Sequence, residues 1–268
     1  MNLIHSTDQL GKKHEINFPP KRIVSLVPSQ TEFLFDIGLN QEITGITRFC
    51  IHPIDKVKTK TIIGGTKQLH LEKIFELQPE LIIGNKEENE QTQIEELQKH
   101  FPVWMSDIRT IEDACGMMRE VSRIVNHETT GEQLTNTITK GFDELVNKNF
   151  VFPTAAYLIW RKPYMIAGSD TFINELMSYL GVENIFGHRS RYPEITMEEL
   201  SMMKPQFIFL SSEPYRFTKQ HIDEFKSICP DSKVLLVDGE MFSWYGSRLK
   251  LTVNYLHELR KKMGIYSV

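Results

Sequence analysis

Hydrophobic positions along this chain follow two alternating periods. Leu3 to His5 and His14 to Phe18 flank a polar turn and predict a hairpin ended by Pro19 and Pro20. Arg22 to Val27 (RIVSLV) is a β-branched run stopped by Pro28, and Thr31 to Leu39 repeats at helical spacing, closed by Gly38. On this pattern Ser29 and Thr31 are N-cap residues. Strands over 42–47, 80–84 and 103–105 then alternate with helices over 71–77, 94–100 and 111–125. Several of the strands are apolar on both faces, as in a parallel sheet covered on both sides by helices.

Around His127 to Asn149 the pattern becomes one longer polar helix, with Leu134, Ile138, Phe142, Leu145 and Val146 on a narrow stripe. Its roughly 20 residues would span about 30 Å, the width of a small domain. Strands then return over 155–160, 207–211 and 234–237, with helices over 171–180, 197–203 and 248–263. All eight tyrosines lie at or after Tyr157. The fold class is therefore α/β: two small α/β lobes with mainly parallel sheets, joined by one long bridging helix, with a ligand cleft between the lobes. The lobes are assigned to 1–126 and 150–268 and the bridge to 127–149. Both halves carry the same phrase, LEKIFELQPELII and MEELSMMKPQFIF, in which Pro79 and Pro205 stop a short helix before an apolar strand.

Composition narrows the function classes. The 268 residues are 40% hydrophobic and 25% charged, as in a soluble globular protein, which excludes disorder and low complexity. A net charge of -4 offers no basic field for phosphates, so nucleic acid is not an expected partner. Cys50, Cys115 and Cys229 form no Cys-x-x-Cys pair and no disulfide framework. Residues 1–15 lack an export signal, which at face value makes the chain cytosolic. No stretch approaches the apolar length of a membrane span.

Open α/β sheets hold ligands beyond the carboxyl ends of their strands. The candidate binding residues there are Phe49, Cys50, His52, Lys67, Asn85 and Lys86 in the first half. In the second half they are Trp160, Arg161, Tyr164, Ser212, Glu213, Tyr215, Phe242, Trp244, Tyr245 and Arg248. Phe49, Trp160, Trp244 and Tyr245 would supply apolar faces, although buried aromatics serve as core just as readily. Arg161, Lys67, Lys86 and Arg248 would meet carboxylate, phosphate or amide groups at the rim. His52 and Cys50 are the candidates for touching a metal. Dinucleotide, Walker, nucleophile-elbow and His-Glu-x-x-His motifs are absent, so no catalytic residue is assigned and no cofactor is required. Two alternatives stay open: capture of a bare transition-metal ion, and an intracellular enzyme using Asp238, Glu240 or His52 as acid-base groups.

RIVSLVPSQTEFLFDIG, ITGIT with Pro53, GGTKQLHLEKIFELQPELII, YLIW with Pro163 and Gly168, FINELMSYLGVENIF and ITMEELSMMKPQFIFLSS follow one another from about Arg22 to Met263. This ordered set resembles the cobalamin-binding, substrate-capture proteins of ABC importers, and more broadly the helical-backbone receptors for cobalamin, haem, siderophores and metal ions. The resemblance implies capture of a corrinoid or related metal chelate between two lobes, a periplasmic location, and an ABC importer permease as partner. It also implies that Glu72 and Glu198 pair with permease arginines; apart from it, both are solvated first-turn helix carboxylates. Phe49 falls where an aromatic contacts the corrin, whereas Thr66 and Asn85 stand where tryptophans are expected.

Overall fold

The computed structural model describes residues 2–146 and 152–264. The chain divides into two compact units, residues 1–139 with Trp244–Leu249, and 140–243 with 250–268. The division is not contiguous in sequence: six residues from the second half belong with the first unit, and the boundary falls inside a helix.

The first unit begins with the hairpin β1 (Leu3–Thr7) and β2 (Lys13–Asn17). Then come β3 (Ile23–Ser25), α1 (Pro28–Asp36), β4 (Ile43–Ile46), α2 (Ile54–Val57) and β5 (Thr61–Ile62). After them follow α3 (Leu71–Leu77), β6 (Leu81–Asn85), α4 (Gln91–Gln98), β7 (Val103–Ser106) and α5 (Ile111–Ile124). The sheet is five-stranded and parallel, in the order β5-β4-β3-β6-β7. Strand order reverses between β3 and β6, the point at which open α/β sheets form a crevice. The buried Asp8 ties the hairpin to the sheet: it accepts from Leu10, Lys12 and Met105 N–H groups and pairs with His14 at 2.9 Å.

Helix α1 starts earlier than its hydrophobic spacing predicts. Pro28 occupies the first turn, where its missing N–H costs nothing. Ser29 and Thr31 are therefore inside the helix and not caps. The Thr31 hydroxyl is buried against Ser25 Oγ and the Val27 carbonyl.

Helix α6 (Glu128–Leu145) contains the boundary between the units. Leu134, Ile138, Phe142 and Leu145 are buried as its stripe predicts, but Val146 is exposed. The last three residues of the expected 127–149 helix lie outside the described residues.

The second unit runs β8 (Thr154–Trp160), β9 (Tyr164–Ile166), α7 (Phe172–Leu180), β10 (Glu183–Asn184), β11 (Glu194–Ile195) and α8 (Met197–Met203). It continues with β12 (Phe207–Ser211), α9 (Lys219–Ile228), β13 (Lys233–Val237), α10 (Glu240–Ser243) and α11 (Leu249–Met263). The sheet order is β11-β9-β8-β12-β13, with β10 also on β8. Its β10, β8, β12 and β13 pairings are parallel, whereas β9 and β11 are antiparallel to their neighbours. Here the order reverses between β8 and β12. Arg260, on the buried face of α11, donates to the carbonyls of Leu145, Tyr179 and Leu180, satisfying the ends of α6 and α7.

The repeated phrase folds identically in both units. Helices α3 and α8 each end on a left-handed residue, Gln78 and Lys204, followed by Pro79 or Pro205 and then β6 or β12.

Candidate functional site

In the first unit the reversal point is filled by polar side chains. Gln30 Nε2 donates to Ser106 Oγ at 2.8 Å and reaches the Gly84 carbonyl, and Asn85 Nδ2 donates to the same Ser106 Oγ at 3.0 Å. Asn85 Oδ1 accepts from the Glu87 and Glu88 N–H groups, so it braces the loop that follows β6. Asn89 completes the plug, accepting from Asn85 N–H and donating toward the carbonyls of Leu26 and Thr66. A Cβ at Gly84 would stand 2.7 Å from Asn89 Oδ1, so this approach requires glycine. Asn85 is thus buried architecture and not a ligand contact as its position after a strand suggests.

Cys50 is likewise internal. Its thiol bonds Thr31 and Thr47 hydroxyls, and burial pushes its pKa up, which disfavours the thiolate a metal needs. His52 turns instead to Trp244, ring edge to face at 5.6 Å. Trp244 lies under the Arg248 guanidinium at 4.9 Å, and Arg248 grips Glu32 with two bonds of 2.7 and 2.9 Å. Burial raises the Glu32 pKa, while the Arg248 pairing and the nearby His52 pull the other way. Trp244, Tyr245 and Arg248 are all buried in the first unit, so their place is in its core and not on a rim. Among the described residues no group of three or more His, Cys, Asp or Glu could hold a metal ion.

Apolar side chains also stay open on the first unit. Phe49 is 48% exposed with Arg48 over its ring, and Ile51 on the same loop and Ile54 at the start of α2 are also exposed. Lys67 extends its ammonium to the carbonyls of Glu87 and Asn89, and Lys86 pairs with Asp107 at 2.8 Å.

In the second unit the reversal point carries aromatic groups. Trp160, 38% exposed, meets Tyr215 edge to face at 5.8 Å. Beside them Arg161 pairs with Glu224 of α9 at 3.0 Å, and the Tyr164 hydroxyl donates to the same carboxylate. Burial pushes the Glu224 pKa up, but the Tyr164 and Arg161 hydrogen bonds and the Arg161 charge outweigh it, so its pKa is lowered overall. His221 Nδ1 accepts the Thr218 N–H at 2.8 Å, capping α9, and its Nε2 contacts the Tyr215 hydroxyl.

Ser212 and Glu213 are engaged locally: the exposed Ser212 accepts at its Oγ from Gly239 N–H, and half-buried Glu213 accepts from Ser243 Oγ. Phe242 has no exposed surface and packs on Tyr157, Phe209 and Tyr255, which makes it core and not an accessible contact. Asp238 caps α10 by accepting from Glu240 N–H. Glu72 and Glu198 occupy the same first-turn position of α3 and α8, both exposed. Sequence reasoning missed Glu32 and Glu224, whose partners are 216 and 63 residues distant.

A family model described as periplasmic binding protein matches residues 23–228. The chain belongs to the periplasmic binding protein family. Within this family it is similar to a vitamin B12-binding protein of Pectobacterium carotovorum, 22% identical over 88% of this chain and 87% of that protein. Among solved structures, the vitamin B12 binding protein BtuF of Vibrio cholerae superposes with a TM-score of 0.77 at 20% identity, covering 92% of this chain and 99% of BtuF. The heme binding protein HutB of Vibrio cholerae gives a TM-score of 0.76 at 17% identity, over 90% and 98% of the two chains. The two solved structures are periplasmic binding proteins by name, and the α/β fold of this chain is theirs.

Proposed function

We propose that this periplasmic binding protein captures a bulky metal chelate, a corrinoid, haem or ferric siderophore, on its strand-end loops and takes no part in catalysis. The family match over residues 23–228 carries the reading, and the names of the vitamin B12- and heme-binding relatives supply the ligand class. The aromatic surface of the second unit supports it: the partly exposed Trp160 with half-buried Tyr215 presents flat apolar area on which a macrocycle can lie. Tyr164 and Arg161 offer polar contacts beside Trp160, and half-buried His52 is the remaining candidate for the metal. Delivery would be to an ABC importer permease, with Glu72 and Glu198 as the docking carboxylates.

Thermal unfolding against cobalamin, cobinamide, haem, ferric siderophores and bare Zn, Mn and Co ions tests the reading. A chelate at about 100 times its dissociation constant adds roughly 2.7 kcal/mol, a shift of several degrees. A shift with bare ions alone, or with nothing, removes the chelate reading.

A further inference from the structure

Each cation that the sequence places at the ligand rim already has an oxygen partner within its own unit. Arg248 is held by Glu32, Lys86 by Asp107, and Lys67 by two backbone carbonyls. Arg161 differs in its surroundings. Its side chain and that of Glu224 are each about one quarter exposed, and it follows Trp160, a partly exposed aromatic, directly in sequence. A ligand lying on Trp160 and Tyr215 would therefore meet Arg161 and Glu224 together.

Resting on the chelate-capture reading, we infer that Glu224 is a specificity-determining residue, which turns the Trp160–Arg161 surface away from carboxylate-rich chelates and toward amide-bearing or neutral ones. Glu224 takes the Nε and Nη2 edge of the guanidinium. That edge is the fork with which arginine binds a carboxylate through two parallel bonds. A ligand carboxylate must displace Glu224, leaving it beside Tyr164 without its cation, or approach a surface that already holds a negative charge. An amide oxygen needs neither: it accepts one of the guanidinium N–H groups that Glu224 leaves over. The discrimination is repulsive, which is how binding sites reject near-identical ligands. The lowered pKa of Glu224 keeps it ionised at neutral pH, and the Tyr164 hydroxyl holds it in place.

The test uses two ligands on one ring, dicyanocobinamide with amide side chains and dicyanocobyrinic acid with free carboxylates, titrated against the whole protein by tryptophan fluorescence. The wild-type protein should prefer the amide ring. Glu224→Gln, which keeps the shape and an acceptor oxygen, should tighten binding of the acid about tenfold, the scale of removing one like charge from a contact, and change the amide ring by less than about twofold. Adding Arg161→Gln should cancel the gain. Unchanged affinity for the acid in Glu224→Gln, or equal gains for both rings, overturns the role of Glu224 while leaving chelate capture standing. If the wild-type protein binds neither ring nor haem, capture and the selectivity built on it fall together. Should Glu224→Gln fail to fold, Arg161→Gln alone decides: it leaves Glu224 uncompensated and must widen the preference for the amide ring, and a preference unchanged or narrowed overturns the inference.

Discussion

The two units reverse strand order at the same topological position, between β3 and β6 in one and between β8 and β12 in the other, and fill it in opposite ways. In the first, Gln30, Asn85, Asn89 and Ser106 close the crevice with a buried network bonded to itself and to the backbone. In the second, the equivalent loops hold Trp160, Arg161 and Tyr215 at the surface, with an ion pair beside them. A crevice position therefore offers a place for a ligand without requiring one. Whether it is used depends on whether local side chains have spent their bonding capacity on the backbone around them.

Substitutions can break this contrast. The largest loss should follow Arg248→Ala in the first unit, which leaves half-buried Glu32 without its cation and Trp244 without the guanidinium over its ring; about 3–5 kcal/mol of stability is at stake, measured by urea unfolding. Asn85→Ala should cost about 1–3 kcal/mol by the same measurement, because the Glu87 and Glu88 N–H groups and Ser106 lose their partner. An Asn85→Ala protein as stable as the wild type would mean that the crevice in the first unit is not closed for structural reasons.

Acid sharpens the picture on the hairpin side of the first unit. Burial raises the Asp8 pKa, but bonds from His14, Lys12 and Met105 outweigh it and hold it below its ordinary 3.8. A carboxyl lowered on folding stabilises fully above its unfolded value and ceases to do so as pH falls through its folded value. The stability advantage of the wild-type protein over Asp8→Asn should thus be constant near neutrality and shrink below about pH 4. An advantage that grows in acid would reverse the assignment. The smallest effect on stability is expected for Trp160→Ala, within about 0.5 kcal/mol because the ring is substantially exposed. The same change should still weaken chelate binding, and a variant that loses stability but binds normally would return Trp160 to the core.

Strongly periodic segments were legible because burial dictates their pattern. The apolar runs of β6 and β12 and the stripes of α5 and α6 could be read without a partner in view. Helix α9 was not predicted, since Phe225 is its one buried residue, Ile222 and Ile228 are half-buried and the rest of KQHIDEFKSI is polar. Strands β9 to β11 are two or three residues long, too short for any period. At the site, position at a strand end drew attention to Trp160, Arg161 and Tyr215, which the structure gathers with Glu224 on one partly exposed surface. It could not separate them from Phe242 or Cys50, whose surroundings are set by residues far away in sequence. Glu32 and Glu224 carried no local signal at all, because a salt bridge across 216 or 63 residues leaves no spacing to detect.

The return of Trp244–Leu249 to the first unit has a consequence for how the protein is made. A ribosome releasing this chain delivers the sheet of the first unit early, yet the arginine that neutralises Glu32 emerges some two hundred residues later. The second unit waits as well, since Arg260 secures the ends of α6 and α7. Neither body is finished until the final stretch is synthesised. Cutting between residues 139 and 140 would therefore not yield two self-sufficient halves, and early termination before residue 244 would spoil both bodies at once.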